Sequence, residues 1–502
     1  MCSNRHLTTL LAAALVCVLG CAPSARKVQH QQALDGRAQK RGADRKLNVL
    51  FIMSDQHNAH ALGCYGNREI KTPRLDRLAG EGVRFTNAFC QTGQCCPSRY
   101  TIWTGRYAHS HGLRWNHVIE PLSEVTIGEI FRDAGYVTAT IGKHHMQYDV
   151  SLHGFDHAVE IPDYDRFVKD RGVPHCWAEG DWLPYRNDQF AGPIGTSHAD
   201  NEHHMAGFFG TEAIKFLQAN QNKPFCMWLS LYGPHVPHVA SKKWMDLYDP
   251  DSLTLPLNFD DRRTDIPADL NCLHTLFDGM SEQDFKKALH CYYALTSQID
   301  YNIGRVLDEL DRLGIAERTV VVYTSDHGEM MGEHGAFRKA ILNYDATVRV
   351  PLIMRLPGVS MTTDELVGSV DLMPTLCELA GLDYPESVQG RSLVPLLKGR
   401  PTEWRDVIFS EIGYPRPTFP PGLCTMARTK EHKYIHHENA GKPMEELFDL
   451  RSDPWETVNQ ASNPEYADVL ATLRKALKQW NKNTDHAPLY PIEKEFRQGR
   501  RP

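Results

Sequence analysis

The segment Leu47-Asn-Val-Leu-Phe-Ile-Met-Ser-Asp55 predicts a strand buried on both faces, because apolar residues occupy consecutive positions from Val49 to Met53. Three later segments share this design, in which a short apolar run ends in residues that can bind a metal or move a proton. They are YVTATIGKHH (136–145), PFCMWLSLYGPH (224–235) and RTVVVYTSDHGE (318–329). Helical patterns lie between these runs, so the chain is predicted to be an α/β protein with a largely parallel sheet.

The ends of these four predicted strands carry the residues of a candidate site. In open α/β sheets the ligand crevice lies outside the carboxyl ends of the strands, so side chains that follow parallel strands are expected at one edge. The residues in these positions are Asp55, Lys143, His145, His235, Asp326 and His327. Taken singly, Lys143 could be a surface lysine, and His235 could belong to a rigid proline loop.

The composition is that of a globular protein. Of 502 residues, 41% are hydrophobic and 23% are charged, and the net charge is −7, so the chain can bury a large core. This mild acidity gives no reason to expect nucleic acid or an anionic membrane surface as a partner. Beyond residue 21, ten cysteines are scattered without a CxxC pair, which argues against a disulfide scaffold.

The N-terminus is predicted to be a leader and not part of the fold. The apolar run from Leu7 to Gly20 is too short to span a bilayer and is typical of a signal peptide. It ends in Val18-Leu-Gly-Cys21, which resembles the lipobox of bacterial lipoproteins, in which the cysteine is acylated. An ordinary secretory signal is the alternative. We therefore expect a lipoprotein signal peptide (1–21), a flexible polar tether (22–46), and a periplasmic or cell-surface location with the membrane reached only through a lipid on Cys21.

The rest of the chain is predicted to divide into a catalytic domain (47–400), a small C-terminal α+β domain (401–490) and a tail (491–502). The small domain is indicated by a strand from Val407 to Ile412, further short strands, and a final helix with one apolar face. That face consists of Leu470, Leu473, Leu477 and Trp480. Residues 150–205 hold many aromatic, Pro, Asp and His residues with little periodicity, which predicts an insertion covering the site.

Two helices of the catalytic domain can be placed from local signals. Thr126-Ile-Gly-Glu129 is a capping box that predicts the start of a short helix. A longer amphipathic helix is predicted to end at Gly314. Its apolar face contains Ile299, Ile303, Val306, Leu310 and Leu313.

The acidic strand ends predict a cation site. Asp55 is followed by Gln56, and Asp326 is followed by His327. Carboxylates with an amide oxygen suit Ca²⁺ or Mg²⁺, and a histidine ligand also admits Mn²⁺. Either aspartate alone could be a helix N-cap or a turn residue, but the two occur together with an unusual Cys-Cys-Pro-Ser-Arg segment.

That segment carries a family resemblance. Cys95-Cys-Pro-Ser-Arg99, followed by Thr104-Gly105, resembles the C-x-P-S-R-(x)4-T-G signature of the type I sulfatases. The resemblance extends to MSDQHNAHALGCYGN, GKHH, GPHVPH, SDHGEMMGEHG, DLMPTLCELAG and ELFDLRSDPWETVN, and so spans nearly all of residues 47–460. It implies an alkaline-phosphatase-like fold, with a large mixed, mostly parallel sheet flanked by helices and a small C-terminal domain with an antiparallel sheet.

The resemblance also implies a modified nucleophile. In this family a maturation enzyme oxidises the first cysteine of the motif, here Cys95, to formylglycine, while Cys96 occupies a variable position. One hydroxyl of the hydrated aldehyde attacks sulfur, and loss of the proton from the other then expels sulfate and regenerates the aldehyde. The nucleophile is thereby reset without a second attack at sulfur.

The remaining site residues follow from the same resemblance. The implied cation ligands are Asp55, Gln56, Asp326, His327 and the modified Cys95, with Ca²⁺ preferred over Mg²⁺ or Mn²⁺. The implied catalytic residues are Cys95, Arg99, Lys143, His145, His235 and Lys339. For the last position Arg338 is the alternative, since the spacing of HGAFRKAILNYD differs by one residue from the family pattern.

The function that the resemblance implies is hydrolysis of a sulfate ester, on a sulfated glycan or an aryl sulfate. A phosphonate monoester or phosphodiester hydrolase is the main alternative, because that related group has the same Asp-Gln and Asp-His pairs and can also use a formylglycine. A catalytically inactive, lipid-anchored glycan-binding protein is the third reading. Such a binding protein would have no need for Cys95, Arg99 and the two aspartates.

Overall fold

The computed structural model describes residues 46–116, 120–185, 187–261, 263–399, 403–413, 423–438, 443–484 and 486. The predicted signal peptide, the tether as far as residue 45 and the tail therefore lie outside the described residues. Among the residues described, no helix is both long and apolar enough to cross a membrane. The ten described cysteines are all free thiols.

Seventeen strands in four sheets are found in these ranges. They are β1 (Asn48–Asp55), β2 (Val83–Phe85), β3 (Ala88–Phe89), β4 (Val137–Gly142), β5 (His157–Val159), β6 (Gly180–Trp182), β7 (Gly195–Ser197), β8 (Phe225–Pro234), β9 (Val239–Ser241), β10 (Thr319–Ser325), β11 (Leu352–Arg355), β12 (Met361–Thr363), β13 (Val367–Gly368), β14 (Ile408–Gly413), β15 (Leu423–Arg428), β16 (His432–Glu438) and β17 (Met444–Asp449).

Fourteen α-helices are described together with these strands. They are α1 (Pro73–Glu81), α2 (Cys95–Thr104), α3 (Ala108–His111), α4 (Ile127–Asp133), α5 (Ile161–Arg171), α6 (Asn187–Phe190), α7 (Met205–Asn220), α8 (Lys242–Met245), α9 (Ala268–Leu276), α10 (Glu282–Arg312), α11 (Asp345–Val348), α12 (Leu372–Ala380), α13 (Val394–Leu397) and α14 (Ala467–Asn483).

The largest sheet has eight strands in the order β12-β2-β11-β10-β1-β8-β4-β5. The five strands from β10 to β5 in this order are parallel to one another, whereas β11 is antiparallel to both of its neighbours. The predicted mixed, mostly parallel sheet is therefore confirmed. The four segments that are predicted to end in metal-binding or proton-transferring residues are all parallel strands of this sheet.

Both faces of the central strand β1 are covered, which explains why its sequence lacks polar alternation. Leu50 and Ile52 belong to one buried cluster with the apolar face of α10. On the opposite face Phe51 stacks on Trp228 with ring centroids 3.6 Å apart, and Trp103 of α2 meets Trp228 edge-on. Replacing such a buried aromatic side chain with alanine typically costs about 3–5 kcal/mol.

Local capping signals set the helix boundaries as predicted. Thr126 and Glu129 form the reciprocal capping box that begins α4. Ser281 and Asp284 form another at the start of the 31-residue helix α10. Gly314 follows α10 with a φ of +66°, a conformation in which a residue without a Cβ is not strained.

Residues 150–205 are not the irregular insertion that their composition predicts. Strand β5 extends the edge of the large sheet, and α5 buries Tyr164 and Val168 in the main core. Strand β7 pairs with both β6 and β9 in a three-stranded sheet. Elements of three residues are too short to leave a periodic pattern, which is why the sequence does not reveal them.

The C-terminal part contains the predicted antiparallel sheet, with strand order β14-β15-β16-β17. Its first strand is the one expected near Val407 to Ile412. Helix α14 packs on this sheet, and Leu470 and Leu473 form a cluster with Ala427 and Leu447. The boundary between residues 400 and 401 stays a prediction.

A buried group of charges joins this sheet to the catalytic part. Lys433 of β16 is fully buried, and its Nζ lies 2.5 Å from carboxylate oxygens of both Asp345 and Glu456. The same ammonium donates to the backbone carbonyl of Asn343 at 3.0 Å. Arg428 donates two hydrogen bonds to Asp345. Because Asp345 follows Lys339 by six positions, this group anchors the segment that leads out of the candidate site.

We expect Lys433→Met to lower the free energy of unfolding by about 3–5 kcal/mol, because it removes the cation that pairs with the buried carboxylate of Glu456 and leaves Asp345 with Arg428 as its ion-pair partner. Lys430→Met is the matched control. Lys430 lies in the adjacent β15–β16 turn, is 39% exposed and pairs with Asp364 and Glu365, so its loss should cost less than about 1 kcal/mol. Denaturant unfolding followed by tryptophan fluorescence measures both, and equal losses would contradict the prediction.

Candidate active site

The two carboxylates of the candidate site meet because their strands are parallel neighbours in register. Ser54 of β1 pairs with Ser325 of β10, so the next residues, Asp55 and Asp326, leave the sheet side by side. Strand β8 lies on the other side of β1, and β4 follows it. The sheet order therefore carries His235, after β8, and Lys143, after β4, to the same edge.

Helix α2 brings Cys95 to this edge as its first residue. Gln94 is extended (φ −125°, ψ 139°), and Pro97 in the first turn costs no hydrogen bond there. The hydroxyl of Ser98 donates to the backbone carbonyl of Asp326 at 2.5 Å and thereby joins the helix start to the end of β10. Every residue of α2 is buried.

Four side chains converge into a group that can hold a metal ion. Asp55, Cys95, Asp326 and His327 each offer a ligand atom, and these atoms lie within 4.8 Å of one another in a buried position. Nδ1 of His327 donates to the carbonyl of Gly328 at 2.8 Å, so Nε2 carries the lone pair and faces Cys95 at 3.2 Å. Two carboxylates and an imidazole nitrogen fit a divalent cation.

Arg99 bridges the two acids of this group. One guanidinium nitrogen donates to Asp55 at 2.9 Å and another donates to Asp326 at 2.8 Å. Its third nitrogen donates to the hydroxyl of Ser230 at 2.7 Å and to the backbone carbonyl of Lys143. The side chain is 1% exposed. A single helix residue thus links the ends of β1, β10 and β4 to the middle of β8.

Two lysines reach the site from opposite sides. Nζ of Lys143 lies 2.5 Å from Asp55 and 4.7 Å from the ring centre of Tyr232. Nζ of Lys339 donates to Cys95 Sγ at 2.9 Å and to His327 Nε2 at 2.6 Å. Between the two residues that the sequence leaves open, the geometry therefore places Lys339 beside Cys95.

The two predicted histidines lie near Cys95 and are half-buried. Nδ1 of His235 donates to the carbonyl of Val236 at 2.6 Å. Burial lowers the pKa of both His145 and His235, and Lys143 lowers each further. The thiol of Cys96 donates to the carbonyl of His145 at 2.9 Å, which gives the variable position of the motif a contact within the site.

Gln56 lies beside the metal-binding group, and its side chain contacts Glu329. Its backbone N–H donates to Asp326 at 3.0 Å, and its carbonyl accepts from the hydroxyl of Tyr292 at 2.8 Å. Its side-chain amide nitrogen donates to the buried carboxylate of Glu329. The role of Gln56 as a cation ligand stays a prediction.

Three residues of the site were not predicted from the sequence. Ser230 accepts from Arg99, Tyr232 lies under Lys143, and Glu329 accepts from Gln56. Glu329 stands in the RTVVVYTSDHGE segment that the sequence singles out, but no spacing rule assigns it a partner. The rings of Tyr232 and Trp177 lie 4.9 Å apart, which is how the 150–205 region approaches the site.

The surrounding cations determine the ionisation of the group. Burial raises the pKa of the Cys95 thiol, but the nearby ammonium groups of Lys339 and Lys143 act against it, and that pKa is held well below its usual value. Burial and Cys95 also act to raise the pKa of Asp55. Lys143, His235 and Arg99 outweigh them, so Asp55 stays ionised. The site therefore keeps its anionic ligands charged although they are buried.

Two family models match the chain. The Sulfatase family model matches residues 47–382. The model described as N-sulphoglucosamine sulphohydrolase, C-terminal, matches residues 332–483. The two matches overlap in the segment that carries Lys339.

Individual proteins are similar over most of the chain. An arylsulfatase of Clostridium perfringens is 31% identical, over 86% of this chain and 94% of the relative. The phosphonate monoester hydrolase of Silicibacter pomeroyi has a TM-score of 0.76 and 28% identity, over 88% of this chain and 96% of that one. A structure in complex with its substrate, D-glucosamine-2-N,6-O-disulfate, has a TM-score of 0.72 and 25% identity, over 87% and 98% of the two chains. These similarities confirm the alkaline-phosphatase-like fold.

The charge environment predicts an unusually reactive thiol. In protein that is metal-free and made without a maturation enzyme, we expect iodoacetamide to alkylate Cys95 faster than an ordinary thiol at pH 6, because the nearby lysines hold its pKa well below its usual value. Lys339→Met should move this reaction to higher pH. Fragment-ion mass spectrometry of the tryptic peptide locates the label.

Cys90, in the same peptide, is the internal control for this experiment. Burial raises its pKa, so it should stay unlabelled at pH 6. An identical pH dependence of Cys95 labelling in the wild type and in Lys339→Met would contradict the prediction.

Proposed function

The chain belongs to the sulfatase family, and from this premise we propose that it hydrolyses sulfate esters of a carbohydrate, using a formylglycine formed from Cys95 and a bound divalent cation. One observation carries the proposal. Cys95 begins a buried helix with its side chain among Asp55, Asp326 and His327, and Lys339 donates to it. The sulfur atom stands where the hydroxyls of a hydrated formylglycine would lie.

The cation would be held by Asp55, Asp326, His327 and the modified Cys95, with Gln56 beside them. When bound, it supplies Lewis-acid chemistry, because it polarises sulfate oxygens and favours loss of a proton from a nearby hydroxyl. The oxygen-rich donor set favours Ca²⁺, and Mg²⁺ and Mn²⁺ are the alternatives. Arg99 donates to both aspartates in the buried site and so holds their carboxylates where they can act as ligands.

The residues around Cys95 are placed for the two proton transfers that the reaction requires. One hydroxyl of the modified residue forms a bond to sulfur while the bond from sulfur to the sugar oxygen breaks, and the proton of that hydroxyl goes to the departing oxygen. His235 and Lys143 can bind the sulfate and relay this proton. His145 can take up the proton of the second hydroxyl as sulfate is expelled and the aldehyde re-forms, while the ammonium of Lys339 holds the residue by a hydrogen bond.

The substrate class rests on similarity. A structural relative holds a sulfated glucosamine as its substrate, and a sequence relative is an arylsulfatase. We therefore propose a sulfated glycan, with small aryl sulfates as surrogate substrates. The second candidate, phosphonate monoester hydrolysis, is favoured by one observation: Gln56 and His327 stand beside the two aspartates, as in that related group, and one such enzyme is a structural relative.

Matched turnover measurements test the function. On an aryl sulfate, an aryl phosphonate monoester and an aryl phosphodiester, we expect the highest kcat/KM for the sulfate. Cys95→Ala should lower kcat/KM by at least about a thousandfold, because it removes the nucleophile. Faster turnover of the phosphonate would replace the sulfatase proposal with the second candidate.

Two measurements accompany these assays. Mass spectrometry of the peptide containing Cys95, from protein produced with a maturation enzyme, should show an aldehyde in place of the thiol. Cys96→Ala is the matched control. Its thiol contacts the backbone of His145 and not the reacting centre, so the aldehyde should still form. A thiol that persists at Cys95 in fully active protein would contradict the mechanism.

We also propose that the protein is a lipoprotein outside the cytoplasm, on the strength of the Val18-Leu-Gly-Cys21 sequence. Two lipid chains or more would anchor it stably, whereas one would not. Cells grown with an alkyne-tagged fatty acid should yield labelled protein in the membrane fraction, and Cys21→Ala should abolish the label. Label that persists in Cys21→Ala would contradict acylation at this residue.

A further inference from the structure

Glu329 is a fully buried carboxylate that connects two parts of the site and has no role in the mechanism above. One of its oxygens accepts from the side-chain amide nitrogen of Gln56. The other accepts from the backbone N–H of Met331 at 3.3 Å and from the backbone N–H of Arg338. It therefore touches a predicted cation ligand and the residue that precedes Lys339.

We propose that Glu329 is a positioning residue, which orients the Gln56 amide so that its oxygen is available to the cation and holds the turn that presents Lys339. The inference rests on the proposed function, because it assumes that a divalent cation binds beside Gln56. In this inference Glu329 acts on the site through Gln56 and Lys339.

The orientation of the Gln56 amide follows from the chemistry of its partner. The amide nitrogen of Gln56 donates to Glu329, so this contact occupies the NH₂ end of the amide. The oxygen end is left as the available ligand atom. An amide oxygen is a suitable ligand for a hard cation, whereas an amide NH₂ has no lone pair to offer. The contact with Glu329 thus decides which end of Gln56 is available to a metal.

The same carboxylate restrains the turn before Lys339. Arg338 has a φ of +73°, which is unfavourable for a residue with a side chain. Its N–H is held by Glu329, and its carbonyl accepts from the N–H of Met330 at 3.0 Å. These two bonds fix Arg338 on both sides. Lys339 follows directly, with its Nζ against Cys95 and His327.

This pairing also accounts for the amide at position 56. A carboxylate of the same length there would face the buried carboxylate of Glu329 without an N–H to donate, and like charges in a buried site repel strongly. Gln56 and Glu329 are therefore a matched pair. A change at one of them should be corrected by the complementary change at the other.

Calcium titration of EDTA-treated protein by calorimetry tests the proposal. In Glu329→Gln the oxygen of the new amide can keep the bonds from Met331 and Arg338, but its NH₂ faces the NH₂ of Gln56. The Gln56 amide must then turn over and present nitrogen to the cation. We expect calcium affinity to fall at least about tenfold, the usual cost of losing an outer contact of a metal site.

The swapped variant Gln56→Glu/Glu329→Gln should restore the affinity. In this variant the amide at position 329 can donate to the carboxylate at position 56, which leaves one oxygen of that carboxylate for the cation. A residue with a merely structural role would not be rescued by exchanging the two groups. Glu333→Gln is the matched control, because Glu333 is a buried glutamate of the same loop that accepts from Asn58 and His60. It should leave calcium affinity unchanged.

The outcomes separate the two proposals. Wild-type protein that binds no divalent cation would overturn the cation in the proposed function. Wild-type affinity in Glu329→Gln would overturn only the role of Glu329. Should Glu329→Gln fail to fold by circular dichroism, the swapped variant decides. Wild-type affinity in the swapped variant supports the proposal, whereas weak binding or an unfolded chain overturns it.

Discussion

The site depends on the neutralisation of two adjacent buried carboxylates by one guanidinium. Asp55 and Asp326 leave neighbouring parallel strands side by side, and two such acids would not both stay ionised in a buried position without a counter-charge. Arg99 meets both of them and also donates to Ser230 of a third strand. Because Arg99 lies one turn after Cys95 in α2, the bonds that neutralise the acids also place Cys95 among them.

The support for this centre comes from parts of the chain that are far apart. Ser98 joins α2 to the end of β10, and Glu329 connects Gln56 to the turn before Lys339. Lys433, from the C-terminal sheet, anchors Asp345 and so the segment that leaves the site. The C-terminal sheet therefore supports the site through a buried charge, whichever substrate the enzyme accepts.

Much of this arrangement could be predicted from local patterns. Consecutive apolar residues indicated the parallel strands, and the rule that sites form at their carboxyl ends placed Lys143 and His235 near the acids. The prediction was wrong for residues 150–205, because β5, β6 and β7 are each three residues long and leave no periodicity. It also passed over Glu329. A single glutamate in a loop carries no signal of burial, since its partners Gln56 and Arg338 become its neighbours only on folding.

The sequence by itself determined the α/β class, the identity of the chemical groups and their order along the strands, because periodicity and strand ends are local properties of the chain. Only the tertiary structure decided which groups touch. It placed Lys339 and not Arg338 beside Cys95, because Arg338 takes up the left-handed turn and gives its N–H to Glu329. It also turned the amide nitrogen of Gln56 toward Glu329. Contacts of this kind join side chains that are distant in the chain and follow from packing, which no local pattern records.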